Sequence, residues 1–174
     1  MYSNKLYTPL RYPGGKARFA PLIAEVITTS NLAGGHYLEP YAGGAGVALS
    51  LLIEGVVEQI HINDADPAIA GFWRVATQQT ADLIAMVAVE PITMDAWHHW
   101  RSVMLGQVPG TELERGFATL FMNRTNRSGI LKAGVIGGKA QIGTYKIDAR
   151  FMRDELCARL ERIAQHAKNI HVYE

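Results

Sequence analysis

The small-residue run Glu39-Pro40-Tyr41-Ala42-Gly43-Gly44-Ala45-Gly46 leads into the apolar stretch VALSLLI at residues 47–53. Glycines in a strand-to-helix turn let the backbone come close to a bound ligand. At the carboxyl edge of a parallel sheet, that is where α/β folds take nucleotide-like ligands. Asp64 ends the next strand-like segment, and a carboxylate there accepts hydrogen bonds from ribose hydroxyls. Two nucleotide fingerprints are excluded. Leu49 stands where the dinucleotide pattern needs its third glycine. Gly134 to Lys139 has the wrong spacing for a P-loop, and Ala140 replaces the metal-binding hydroxyl. A purely structural glycine turn remains the alternative.

Charge supplies a second chemical signal. The net charge is only +1, but no acid occurs from Arg115 to Ile147, a window holding Arg124, Arg127, Lys132, Lys139 and Lys146. A basic, glycine-rich segment can follow a phosphate backbone. A solvated loop that happens to lack acids is the competing reading. Trp97-His98-His99-Trp100 resembles a metal site, but adjacent helical residues point about 100° apart, so these side chains are read as packing and no metal is expected. Cys157 is the single cysteine, which rules out an intramolecular disulfide and a cysteine zinc site. In its amphipathic helix it reads as buried and inert. Tyr145 either stacks on a base or packs on the core.

These residues need elements to hold them. Residues 8–19 read as a Pro- and Gly-broken loop, 20–30 as a helix, 36–39 as a strand and 47–53 as a buried helix. Residues 58–63 read as a second strand with Ile60 and Ile62 on one face. Pro67 opens another helix, completing a βαβ unit with parallel strands. Three further helical stretches follow, with Thr93 and Thr111 as caps. Residues 130–147 predict a hairpin turning at Gly137-Gly138. An amphipathic helix over 149–167 and a strand from Ile170 return to the core. The expected division is 1–90 core, 91–147 insertion and 148–174 core again. No run reaches the roughly 18 apolar residues of a spanning helix, and the first residues lack a signal-type apolar stretch. A cytoplasmic protein without membrane partners is expected.

Three segments occur in order: Arg11-Tyr12-Pro13-Gly14-Gly15-Lys16, Leu38 to Val47 (LEPYAGGAGV) and Phe121 to Gly129 (FMNRTNRSG). Together they resemble the Dam-like (D12 class) DNA adenine-N6 methyltransferases over nearly the whole chain. The resemblance implies a Rossmann-like methyltransferase core with an inserted helical and β-hairpin DNA-recognition region, S-adenosylmethionine as cofactor and double-stranded DNA as partner. It implies Tyr12 and Lys16 on the methionine side of the cofactor. It places Glu39, Tyr41, Gly43 and Gly44 around the cofactor's amino-acid part and Asp64 at the ribose. It assigns DNA contact to the segment starting at Asn123 and Arg124 and to the following hairpin, with Arg127. Of the basic residues there, Lys132, Lys139 and Lys146 suit phosphates and Arg124 suits a base edge.

The family's catalytic Asp-Pro-Pro-Tyr is missing. Glu39-Pro40-Tyr41 belongs to the cofactor turn, and Asp66-Pro67 lacks the second proline and the tyrosine. The resemblance puts the motif a short way beyond Glu174. The chain is therefore expected to stop before its catalytic centre, to be inactive alone, and to self-associate through an open sheet edge at residues 36–39. A non-catalytic cofactor- or DNA-binding remnant is the alternative, and a Rossmann-type NAD enzyme a distant third.

Overall fold

The computed structural model describes residues 7–174; the start of the chain, read above for signal character, lies outside the described residues. Three parallel strands form one sheet in the order β1-β2-β3: β1 is His36–Glu39, β2 is Gln59–Asn63 and β3 is Ile170–Tyr173. Ile60 and Ile62 alternate inward on β2, as the period of two requires. Ile60 pairs with Tyr37 on one side and Ile170 on the other. The last strand thus extends the sheet beyond β2, and β1 has one edge unpaired among the described residues.

Helix α1 (Ala20–Thr29) carries Pro21 in its first turn, where the missing N–H costs nothing. Helix α2 (Gly46–Ile53) has almost every side chain buried, which explains a segment apolar on all sides. Helix α3 (Pro67–Gln78) starts at Asp66, whose carboxylate accepts the Ala68 N–H at 3.0 Å. Only Gln79 separates α3 from α4 (Thr80–Val89). Thr93 caps α5 (Met94–Met104). Thr111 caps α6 (Glu112–Thr125) in a reciprocal box with Glu114, a pattern that satisfies two orphan donors at once. Helix α7 (Arg153–Gln165) buries Leu156, Leu160 and Ile163 on one face.

Helix α6 is enclosed from Gly116 to Thr125. It packs against α3, α4 and α5, and its apolar residues join the same core as β2 and α2. Gly116 allows the close approach to α3: a Cβ there would lie 2.7 Å from a Val75 methyl.

The expected hairpin over 130–147 does not form. Among the described residues, the only strand-type pairing of this segment is an isolated antiparallel bridge between Asn126 and Val135. The backbone closes instead in successive tight turns: the Ala133 N–H bonds Ile130, that of Gly138 bonds Val135 and that of Gln141 bonds Gly138. Gly137 and Gly138 both adopt positive φ. The Gln141 side chain then ties the segment together, donating to the Ile136 and Gly138 carbonyls and accepting the Ile147 N–H. The β-branched residues suggested strands, but local turn bonds and one glutamine satisfy the backbone groups that a ladder would have used.

Candidate functional site

The glycine turn after β1 is clamped from beneath. The Ala42 N–H donates to the Asn63 carbonyl at 2.9 Å, and the Asn63 amide donates to the Pro40 carbonyl at 3.1 Å. The Gly43 N–H donates to Asp64 at 2.7 Å, while the other Asp64 oxygen accepts the Asp66 N–H at 3.0 Å. The Trp73 indole N–H donates to the Gly43 carbonyl at 2.9 Å. The end of β2 and the face of α3 thus fix the turn. Sequence reasoning missed Trp73, because an indole on the apolar face of a helix looks like any core residue.

Gly43 has φ +46, and a Cβ there would lie 2.9 Å from the Tyr12 ring. The Tyr12 ring therefore lies across the turn, over Gly43. Burial raises the Tyr12 hydroxyl pKa, and the nearby charges of Asp64 and Asp66 raise it further. Gly46 meets Ala17 in the same way, at 2.9 Å between the two β-positions. The glycine backbone of the turn so packs against the Tyr12 ring and the Ala17 methyl. Ala45, between them, is held left-handed with φ +46.

Between loop and turn lies a cleft of about 940 Å³, within the size range of small-molecule sites. Tyr12, Lys16, Glu39, Tyr41 and Gly44 line it. Gly43 and Asp64, joined by their mutual hydrogen bond, adjoin this lining without being part of it. Tyr41 is 78% exposed at the rim. Glu39 is buried at the foot and accepts the Ala48 N–H at 3.1 Å. Burial raises its pKa, against the opposing pull of that N–H and of Lys16.

A carboxyl whose folded pKa exceeds its unfolded value binds its proton more tightly when folded. Its contribution to stability is present below the unfolded value near 4.5 and is lost as pH rises through the folded one. Glu39→Gln keeps an acceptor for Ala48 and removes that loss. The variant is expected to gain stability relative to the parent as pH rises from about 4.5 to 7. Urea unfolding at both pH values checks this, and an equal difference at the two would refute it.

The segment expected to meet DNA divides in two. Asn123 is 0% exposed. Its Oδ1 accepts the Arg11 N–H at 2.7 Å, and its amide donates to the Arg11 and Gly129 carbonyls, each at 2.8 Å. Arg124 is buried, with Nε 2.6 Å from the Pro9 carbonyl and Nη2 donating to the same oxygen. Burial, then the charge of Arg159, pulls the Arg124 pKa down to about 10. The expected contacts of these two side chains with DNA are thus corrected: both hold the N-terminal loop, and the enclosure of α6 turns them inward. Asn126 is also buried, accepting the Trp97 indole N–H at 2.8 Å and donating to the Leu131 carbonyl at 2.7 Å.

Arg127, Lys132, Lys139 and Lys146 are exposed. Lys146 reaches the Gln141 carbonyl at 2.7 Å, and Tyr145 is exposed with the Arg150 guanidinium 5.7 Å from its ring centre. The paired histidines of α5 pack edge-on, His98 to Trp97 and His99 to Trp100. Cys157 is half-buried, and burial followed by the charge of Glu161 pushes its thiol pKa up.

The family model of the D12 class N6 adenine-specific DNA methyltransferases matches residues 12–173. The match runs from the tyrosine over the glycine turn to the end of β3.

The chain belongs to the D12 class of adenine methyltransferases.

No curated protein matches the sequence. In this D12 chain the loop, the glycine turn and the end of α6 form one connected unit around the cleft. No helix among the described residues is long and apolar enough to cross a membrane.

Proposed function

We propose that the cleft binds S-adenosylmethionine and that the chain serves methyl transfer to the N6 of adenine in double-stranded DNA. The observation that carries this reading is the cleft itself. It is lined by the glycine turn at Tyr41, Ala42, Gly44 and Gly46, by buried Glu39 and by Tyr12 and Lys16 of the N-terminal loop, with Asp64 bonded to the turn at Gly43. A volume near 940 Å³ and a lining that mixes two acids, one lysine, five arginines and two tyrosines suit a charged nucleoside with an amino-acid tail.

Tyr12, Lys16, Glu39, Tyr41 and Gly44 would hold the amino-acid end, and Asp64 the ribose. The cofactor supplies an electrophilic methyl group when bound. The chain's own part is positioning: the turn fixes one reactant, the basic surface brings DNA, and an extruded base completes the geometry. Arg127, Lys132, Lys139 and Lys146 are the DNA contacts in this reading, mostly to phosphates.

Asp64 has two duties here, because it also anchors Gly43. Asp64→Ala is expected to weaken S-adenosylmethionine binding by about 1.5–3 kcal/mol, the scale of lost charge-assisted hydrogen bonds. Titration calorimetry measures it. An unchanged dissociation constant would take Asp64 out of the site.

Residues 1–174 contain no Asp-Pro-Pro-Tyr. Among the described residues, none is assigned in this reading to grip the adenine amino group and stack on the extruded ring. These residues alone are therefore expected to bind without transferring. Labelled methyl transfer to duplex DNA, with intact mass confirming the chain, should give no product. Turnover would mean that a residue assigned here to packing performs the chemistry.

A further inference from the structure

We propose that Arg11 and Arg150 form an oxyanion-binding pair at the cleft, receiving a phosphate of the DNA or the carboxylate of the cofactor. The pair rests on the function proposed above and names the group that meets the anion.

Four arginines other than Arg18 line the cleft: Arg11, Arg124, Arg150 and Arg159. Two are occupied within the fold. Arg124 is bound to the Pro9 carbonyl. Arg159 is bound to the Thr8 carbonyl at 2.6 Å and paired with Glu155. Arg11 and Arg150 are different. Among the described residues, the recorded ion pairs are those of Arg74 and Arg159, and neither Arg11 nor Arg150 has a carboxylate partner. Nη1 of Arg11 is buried with no hydrogen-bond partner among the described residues. Arg150 is exposed and lies against the Tyr145 ring. Burial lowers the Arg11 pKa, and the like charge of Arg150 lowers it further.

A buried donor without a partner is costly, and a second positive charge beside it adds to the cost. An oxyanion between the two guanidinium groups would remove both penalties. The planar fork of arginine suits phosphate and carboxylate equally. The fold also fixes where Arg11 stands, because both of its backbone polar groups are bound by Asn123. Its side chain is thus free to serve a ligand while its main chain holds the loop. Arg150 continues the basic surface of residues 127–146 toward the cleft.

The test uses the full chain, Arg11→Gln, Arg11→Lys and Arg150→Gln. The probes are a short DNA duplex, S-adenosylhomocysteine, and 5′-methylthioadenosine, which lacks the amino-acid carboxylate. A phosphate ligand predicts a roughly tenfold loss of duplex affinity in both glutamine variants. It also predicts a salt dependence flattened by about 0.9 in log–log slope for each contact removed, with S-adenosylhomocysteine unaffected. A carboxylate ligand predicts a similar loss for S-adenosylhomocysteine and none for 5′-methylthioadenosine. Arg11→Lys keeps the charge without the fork, and Arg150→Gln changes an exposed group, so these two variants separate ligand loss from misfolding. Parental affinity for all probes in every variant would overturn the pair and leave the proposed function standing. A parent chain that binds neither duplex nor S-adenosylhomocysteine would overturn the function on which the pair rests.

Discussion

Asn123→Ala is expected to lower unfolding free energy by about 3 kcal/mol and to abolish measurable cofactor binding by the same change. The side chain is fully buried and makes hydrogen bonds to Arg11 N–H, Arg11 C=O and Gly129 C=O. Truncation leaves one donor and two acceptors in a site from which water is excluded. Each unsatisfied group costs roughly 1–3 kcal/mol, and the loop can recover part of that only by moving toward solvent. Movement of the loop displaces Tyr12, which lies over Gly43, and Lys16, which stands near Glu39. Stability and affinity should therefore fall together. Urea unfolding and calorimetry with S-adenosylmethionine measure the two. A variant that loses stability but binds normally would show that the loop position does not set the site.

Gly129→Ala is expected to cost about 2–5 kcal/mol, although it adds only one methyl group. Gly129 has φ +75, and a Cβ there would collide with the Arg11 carbonyl oxygen and lie 2.9 Å from Arg11 Cβ. The left-handed conformation costs a side chain about 1–2 kcal/mol, and overpacking against fixed atoms adds about 1–3 kcal/mol. The obstacle is backbone held by Asn123, so a rotamer change cannot relieve it. Both substitutions act on Arg11, and combining them should cost clearly less than the sum. Chemical denaturation of the two single variants and the double variant gives the coupling. Strict additivity would separate Gly129 from the Asn123 clamp.

Much of the architecture was legible in the sequence because local rules and global packing agree. The alternation of Ile60 and Ile62 marks a half-buried strand, and it is one. Thr93 and Thr111 stand where helix N-termini need an acceptor, and each accepts the expected N–H. The all-apolar stretch after Gly46 must be enclosed, and it is. The pairing of the glycine turn with Asp64 was legible from residue type and order: Asp64 accepts the Gly43 N–H, and Tyr41, Ala42, Gly44 and Gly46 line the cleft.

The remainder depended on partners far along the chain. Residues 130–147 hold both β-branched residues and glycines, so hairpin and stacked turns are equally permitted locally. The Gln141 side chain and the positive φ of Gly137 and Gly138 decide for turns. Asn123 and Arg124 read as polar residues at the end of a helix entering a basic segment, and polar residues there usually face solvent. Their direction was set by the packing of α3, α4 and α5 around α6, which leaves no solvent face for them to use. The loop carbonyls at Pro9 and Arg11, more than a hundred residues earlier, then supplied the acceptors that make their burial tolerable. Residue type and order determined that the chain builds a parallel sheet with a glycine turn and an acid beside it. Only the tertiary structure decided which charged and amide groups hold the cleft together and which remain free to meet a ligand, because a polar side chain's role depends on whether the fold brings it a partner before the ligand does.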